Sequence, residues 1–206
     1  LLSLTRPASL VNVEYAVYDR LVRWTPTRQP SGKVVIVDVD EKSLTSVGQW
    51  PWRRDVIGRL IDSLRDRGAA AVALDIMFPE SDRYEGTGRS PDVILSDSLR
   101  KGRAILGYGL LFEQTSEAPK PCVQHALSLP IIRGAGVQTD DPFFQATSAV
   151  CNIPTLTSAA QASGFLNAAP DPDGILRRAP ILMQYGGRVY PALSLAAVRA
   201  LNNAHN

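Results

Sequence analysis

Three aspartates and one Trp-Pro-Trp block are the side chains of this sequence best suited to chemistry. Asp38, Asp40 and Asp75 each sit in or just after an apolar run. Converging carboxylates could hold a hard cation such as Mg²⁺, which takes oxygen ligands and can support phosphoester hydrolysis. The plainer assignment is that these carboxylates cap the turns that follow them or pair with Arg53 and Arg54. In Gly48-Gln49-Trp50-Pro51-Trp52-Arg53-Arg54, two indoles flank a proline just before a helix. Such a wall offers wide contact area, a donor N–H and a face for cations. Either Trp50, Trp52 and Arg54 touch a ligand, or the indoles cover the end of a sheet and Arg54 pairs with a strand-end aspartate.

Other chemistries find little support. Ser-His-Asp or Cys-His catalysis needs a base, and the only histidines are His125, in a Pro-rich region, and His205, four letters after Leu201. The same scarcity argues against a His-rich zinc site. No GxxxxGK[ST] occurs, and Gly134-Ala135-Gly136 lacks the third glycine and preceding strand of a dinucleotide loop, so no cofactor is expected. Asp171-Pro172-Asp173-Gly174, followed by Arg177-Arg178, reads as a tight turn and not as a calcium loop, whose further ligands and terminal Glu it lacks. Cys122 and Cys151 stand outside CxxC or zinc spacing: they are two separate thiols or one disulfide, and a disulfide would imply an oxidising compartment.

The elements that must position these groups centre on residues 34–78. Val34, Val35, Ile36, Val37 and Val39 form a nearly continuous β-branched run, the pattern of a central parallel strand covered on both faces. From Arg54 onward Val56, Ile57, Leu60, Ile61 and Leu64 share one helical face, and Gly68 stops the helix. Residues 70–76 then read as a second buried strand, completing a βαβ unit with a right-handed crossover. Ligands of open α/β sheets bind outside the carboxyl ends of the strands, where all three aspartates are expected.

Around this unit the pattern predicts a helix over 8–24, a long loop over 79–92, a helix over 92–101 with Val93, Ile94 and Leu99 facing inward, and a buried strand over 103–111. Residues 113–145, divided by four prolines, are expected to be irregular. A short helix over 155–162 and a strand over 164–168 follow. Residues 175–181 and 182–185 then lead through Gly186-Gly187 to 188–190 as an antiparallel ribbon. Pro191 opens the last helix, where its missing N–H is not needed. The fold class is α/β: a central mixed, partly parallel sheet with a βαβ unit and a carboxyl-terminal antiparallel ribbon, flanked by helices including one at each terminus. A chain of 206 residues is read as a single domain over 1–206.

Formal net charge is +2 with acids and bases interleaved, which advertises no basic face for nucleic acid or for an anionic membrane. No apolar run is long enough to cross a bilayer, and the opening LLSLTRPASL lacks the pattern of a secretory signal. A start on Leu1-Leu2 without Met and an amphipathic last segment fit a domain lying between membrane spans.

Three blocks of this sequence resemble the second type of the CHASE domains, the extracellular sensory modules associated with cyclases and histidine kinases. The first is VVIVDVDEKS at 34–43, leading into Trp50-Pro51-Trp52-Arg53-Arg54. The second is Gly68-Ala69 through Ala73-Leu74-Asp75-Ile76-Met77-Phe78. The third is Gly164-Phe165-Leu166-Asn167 with Asp171, Asp173-Gly174 and Arg177-Arg178, then Tyr190-Pro191-Ala192-Leu193. Tyr18-Asp19-Arg20-Leu21 is similar too, and residues 80–160 match least. The chain departs from the family at Arg53, where a proline or small residue is common. The resemblance implies a non-catalytic sensor outside the cytoplasmic membrane, between an amino-terminal span and several carboxyl-terminal spans, controlling a cytoplasmic cyclase, kinase or cyclic-dinucleotide enzyme. It favours the Cys122–Cys151 disulfide and a homodimer. On this reading Asp40, Trp50, Trp52, Arg54 and Asp75 form the receiving site for an unidentified small-molecule or ionic signal, and the terminal helices carry the change toward the membrane. Two alternatives are a structural dimerisation module whose crevice is filled by its own Arg-carboxylate pairs, and a metal-dependent hydrolase using Asp38, Asp40 and Asp75.

Overall fold

The structure, a computed structural model, describes residues 7–26, 29–84, 88–113, 125–128, 143–168 and 170–202. Its contacts gather in two compact units, Leu1–Ser46 and Val47–Asn206.

The first unit holds helix α1, Ala8–Trp24, and all but the last residue of α2, Glu41–Val47. The helical stripe read from the sequence forms, but Leu10, Val13, Val17 and Leu21 are each more than half exposed. The strand expected over 34–39 does not form. Val34, Val35 and Ile36 are 81%, 79% and 89% exposed, and no partner strand is assigned to the run. β-branched residues favour extended backbone, but a strand exists only where a neighbour supplies the ladder and the packing. Asp40 instead caps α2: its carboxylate accepts from the Ser43 N–H at 2.8 Å and the Ser43 hydroxyl at 2.7 Å. The hydroxyl and then the backbone bond hold the carboxyl below its ordinary pKa.

The second unit is built on β1 (Val72–Leu74), β2 (Ala104–Leu111), β4 (Ser148–Val150) and β5 (Ala162–Phe165). β2 is the centre: β1 and β5 flank it in parallel, with Val72 opposite Ala104 and Ile105 opposite Ala162. Its carboxyl half also pairs antiparallel with β4, Gly109 opposite Val150. The βαβ unit therefore runs β1–α4–β2, through α4 (Pro91–Arg100), and not from residues 34–39 through the helix after Trp52. β1 is shorter than expected and Ala73 on it is exposed, because it has a partner on one side only.

Helix α3, Arg54–Asp66, buries Ile57, Gly58 and Ile61 and packs along α4. The two approach so closely at Gly58 that a Cβ there would meet Ser98 Oγ at 3.0 Å. α4 turns Leu95, Ser96, Ser98 and Leu99 inward, while Val93 is exposed. The sequence reading placed Leu99 correctly and Val93 wrongly, since alternate apolar positions do not fix the phase of so short a helix. The expected helix over 155–162 shrinks to α5, Pro154–Thr157, because β5 already begins at Ala162.

A second sheet joins β3 (Gln145–Ala146), β6 (Leu182–Tyr185) and β7 (Arg188–Pro191), with β6 and β7 antiparallel. Their turn uses Gly186 and Gly187 at φ 55° and 74°, the left-handed pair that a two-residue hairpin requires. Residues 175–181 carry no strand. Tyr108, Leu110, Phe165, Met183 and Tyr190 form one buried cluster, where β2 and β5 meet the ribbon. The last helix, α6 (Leu193–Asn202), lays Ala196 and Ala200 on Ile105. Its start touches β5 so tightly that a Cβ on Gly164 would lie 2.5 Å from the Leu193 backbone.

Candidate functional site

The Trp-Pro-Trp block runs directly into the first turn of α3, and the loop after β1 folds back beside it. Together they enclose a cavity of about 550 Å³, walled by Trp50, Trp52, Arg53, Met77, Asp82 and Tyr84, with Arg54 also lining it. The cavity lies at the carboxyl end of β1, the rim where the sequence placed a ligand. The Trp50 and Trp52 rings stand 5.9 Å apart, tilted by 59°. Trp52 is buried and donates its indole N–H to the Gly48 carbonyl at 2.7 Å, so its orientation is fixed. Trp50 is 41% exposed, and Met77 and Tyr84, 41% and 48% exposed, also leave part of their surface open.

The floor is polar and tightly self-engaged. Asp82 accepts from the Arg54 N–H at 2.7 Å, satisfying one of the free donors at the start of α3, and from its own loop at the Tyr84 N–H, 2.9 Å. The Asp82 N–H in turn donates to Asp92 at 3.0 Å. The Arg54 guanidinium stacks 4.5 Å from the Phe78 ring centre, donates to the Glu80 carbonyl at 3.4 Å, and stands 3.7 Å from Asp92. At that distance Arg54 Nε and Asp92 Oδ1 attract but share no hydrogen bond, and both atoms are buried. Arg53 lies 3.8 Å over the Tyr84 ring and pairs with Asp55 at 3.0 Å. Burial works to raise the Asp55 carboxyl, but the hydrogen bond from Arg59 and the charge of Arg53 outweigh it and hold the group below its ordinary value.

Phe78, on which Arg54 rests, is itself held by Asn152. The Asn152 side chain accepts from the Phe78 N–H at 2.7 Å and donates to the Gly107 carbonyl at 2.8 Å. Asn167 repeats the device on β2, exchanging two bonds with the Leu110 backbone at 2.8 and 2.7 Å.

The structure thus brings Trp50, Trp52 and Arg54 to one cavity. Asp75 follows β1, exposed, and does not line it. Asp38 and Asp40 belong to the first unit. Among the described residues no group of three or more His, Cys, Asp or Glu is placed to hold a metal ion. Asp171 and Asp173 both bind Arg177, at 3.0 and 2.7 Å, closing the predicted turn through Gly174 at φ 83°. Cys151 is disulfide-bonded; its candidate partner Cys122 lies outside the described residues. Sequence reasoning missed Asp82, Asp92 and Tyr84, whose signal was only their place in and after a long Asp-rich loop. It also missed Asn152, which carried no signal.

The chain is a mixed α/β module with a cavity at the carboxyl end of β1. The chain belongs to the CHASE2 domain family: the family's model matches residues 1–206, the whole chain. CHASE2 is a sensory domain family found in signalling receptors. Comparison with curated proteins and with solved structures returns no match. No helix among the described residues is long and apolar enough to cross a membrane.

Proposed function

We propose that this chain is the extracytoplasmic signal-input domain of a transmembrane receptor, and that the Trp50–Trp52 cavity receives a small-molecule signal. The cavity carries the reading: it is preformed, and three of its side chains, Trp50, Met77 and Tyr84, present 41%, 41% and 48% of their surface without covering one another fully. Because its charged groups engage each other, a ligand would bind first through apolar contact with these faces and then compete for Arg54 or Asp92. The Cys151 disulfide supports an oxidising, extracytoplasmic location. The output is a cytoplasmic enzyme of the cyclase, histidine kinase or cyclic-dinucleotide kind. A ligand controls it only by binding one arrangement of the domain better than another, and α6, packed along β5 and β2, is the element that would transmit the bias.

A second reading, a structural dimerisation module, draws on two observations. The arginines at the cavity already have acidic neighbours, Arg54 facing Asp92 at 3.7 Å and Arg53 pairing with Asp55 at 3.0 Å, and α1 carries an exposed apolar stripe suited to a second copy of itself.

A thermal-shift screen of the chain against metals and periplasmic metabolites separates the readings. A ligand at a hundred times its dissociation constant adds about 2.7 kcal/mol, which for a domain of this size raises Tm by about 5–10 °C. Trp50→Ala should abolish that rise while leaving the unliganded Tm nearly unchanged. Silence from every compound favours the structural module.

A further inference from the structure

We propose that the rim opposite the cavity is a membrane-facing surface that rests on anionic phospholipid headgroups. The inference rests on the reading that the chain passes from α6 into a membrane. α6 runs antiparallel to β5: Leu193 sits at Gly164, and Ala200 lies near Ala162 and Gln161. Its carboxyl end therefore emerges at the amino ends of the parallel strands. The carboxyl ends of α3 and α4 arrive at the same rim, just before β1 and β2. The Trp50–Trp52 cavity, at the amino end of α3, faces the other way.

This rim is where the basic residues collect. Arg65, Arg100, Lys101 and Arg103 line one open depression of about 660 Å³, and Gln161 joins it to a smaller one lined by Arg199. Arg67 caps the end of α3 beside them. Some of this charge is spent inside the fold. Arg65 donates to the Ser98 and Leu99 carbonyls at the end of α4, Lys101 pairs with Asp62 at 2.6 Å, and Arg100 pairs with Asp97 at 3.3 Å. The other three cations are not balanced in this way. Among the described residues Arg67 bonds only to Ser63, Arg103 only to the Ala70 carbonyl at 3.4 Å, and Arg199 has no carboxylate within ion-pair distance. Helix carboxyl ends each carry about half a negative charge, too little to neutralise the excess of six cations over Asp62, Asp66 and Asp97. An open, solvent-facing cationic rim at the carboxyl end of α6 is complementary to a phosphate-bearing surface. Each basic side chain held near such a surface strengthens partitioning about fivefold.

The test is flotation of the chain with phosphatidylcholine vesicles, with and without phosphatidylglycerol. Binding is expected only to the phosphatidylglycerol vesicles and should fall as salt rises. Replacing Arg67, Arg103 and Arg199 together by Gln should weaken it on the order of a hundredfold with Tm unchanged; Arg103→Glu alone gives a second readout. Equal binding to both vesicles, full retention by the triple variant, or displacement by inorganic phosphate at matched ionic strength would each overturn the proposal, the last by marking a free-anion site. A chain that answers a small molecule in the thermal screen but ignores vesicles loses this inference and keeps the signal-input reading. A chain that binds vesicles but answers no compound does the reverse.

Discussion

Asn152→Ala tests whether the floor of the cavity is positioned from across the sheet. Asn152 is 5% exposed, and its amide bridges two buried backbone groups, the Phe78 N–H at 2.7 Å and the Gly107 carbonyl at 2.8 Å. Alanine supplies neither partner, and Phe78 beside it is fully buried. Each buried group left without a partner costs about 1–3 kcal/mol, so the variant should lose about 2–6 kcal/mol. At about 2–4 °C per kcal/mol for a unit of this size, Tm should drop by roughly 4–24 °C in circular dichroism or calorimetric melts. Phe78 carries the Arg54 guanidinium 4.5 Å above its ring, so any ligand response of the cavity should weaken in the same variant even at temperatures where it stays folded. A Tm within about 2 °C of the parent would refute the reasoning, since it would mean that the two groups find other partners and that Asn152 positions nothing.

Two further outcomes follow from the packing and the charges. Gly164→Ala places a methyl 2.5 Å from the Leu193 backbone, so α6 must move off β5; overpacking of this kind costs about 1–3 kcal/mol, and hydrogen exchange in α6 should accelerate. Asp55→Asn should cost about 1 kcal/mol or less near neutrality, the modest figure reflecting how exposed its arginine partners are. The folded Asp55 carboxyl is held below its ordinary value of 3.8, so its contribution is fully present above pH 4 and is lost as pH falls through the folded value. The parent and variant stabilities measured across pH should therefore converge in acid; a gap that persists there would show that the charge was not responsible.

The sequence alone determined the elements whose evidence is local. Helix α3 was legible because Val56, Ile57, Leu60, Ile61 and Leu64 recur with the helical period, β2 because its apolar run is buried on both faces, and the β6–β7 hairpin because Gly186-Gly187 permits the left-handed turn. It also grouped Trp50, Trp52 and Arg54, which line one cavity, though with Asp40 and Asp75, which do not. Tertiary structure decided what depends on a distant partner. Residues 34–39 have the composition of a strand and lack a ladder, so they stay exposed. Asp82 and Asp92 gain their roles from α3, and Asn152 from β1 and β2, across separations no period encodes. Charge shows the same division: interleaved signs give a net of +2 and advertise no basic face, yet α3, α4, the segment before β2 and α6 all bring arginine or lysine to one rim. A local pattern fixes what a segment can become, while pairing, burial and the meeting of charges are properties of neighbours that only the folded chain brings together.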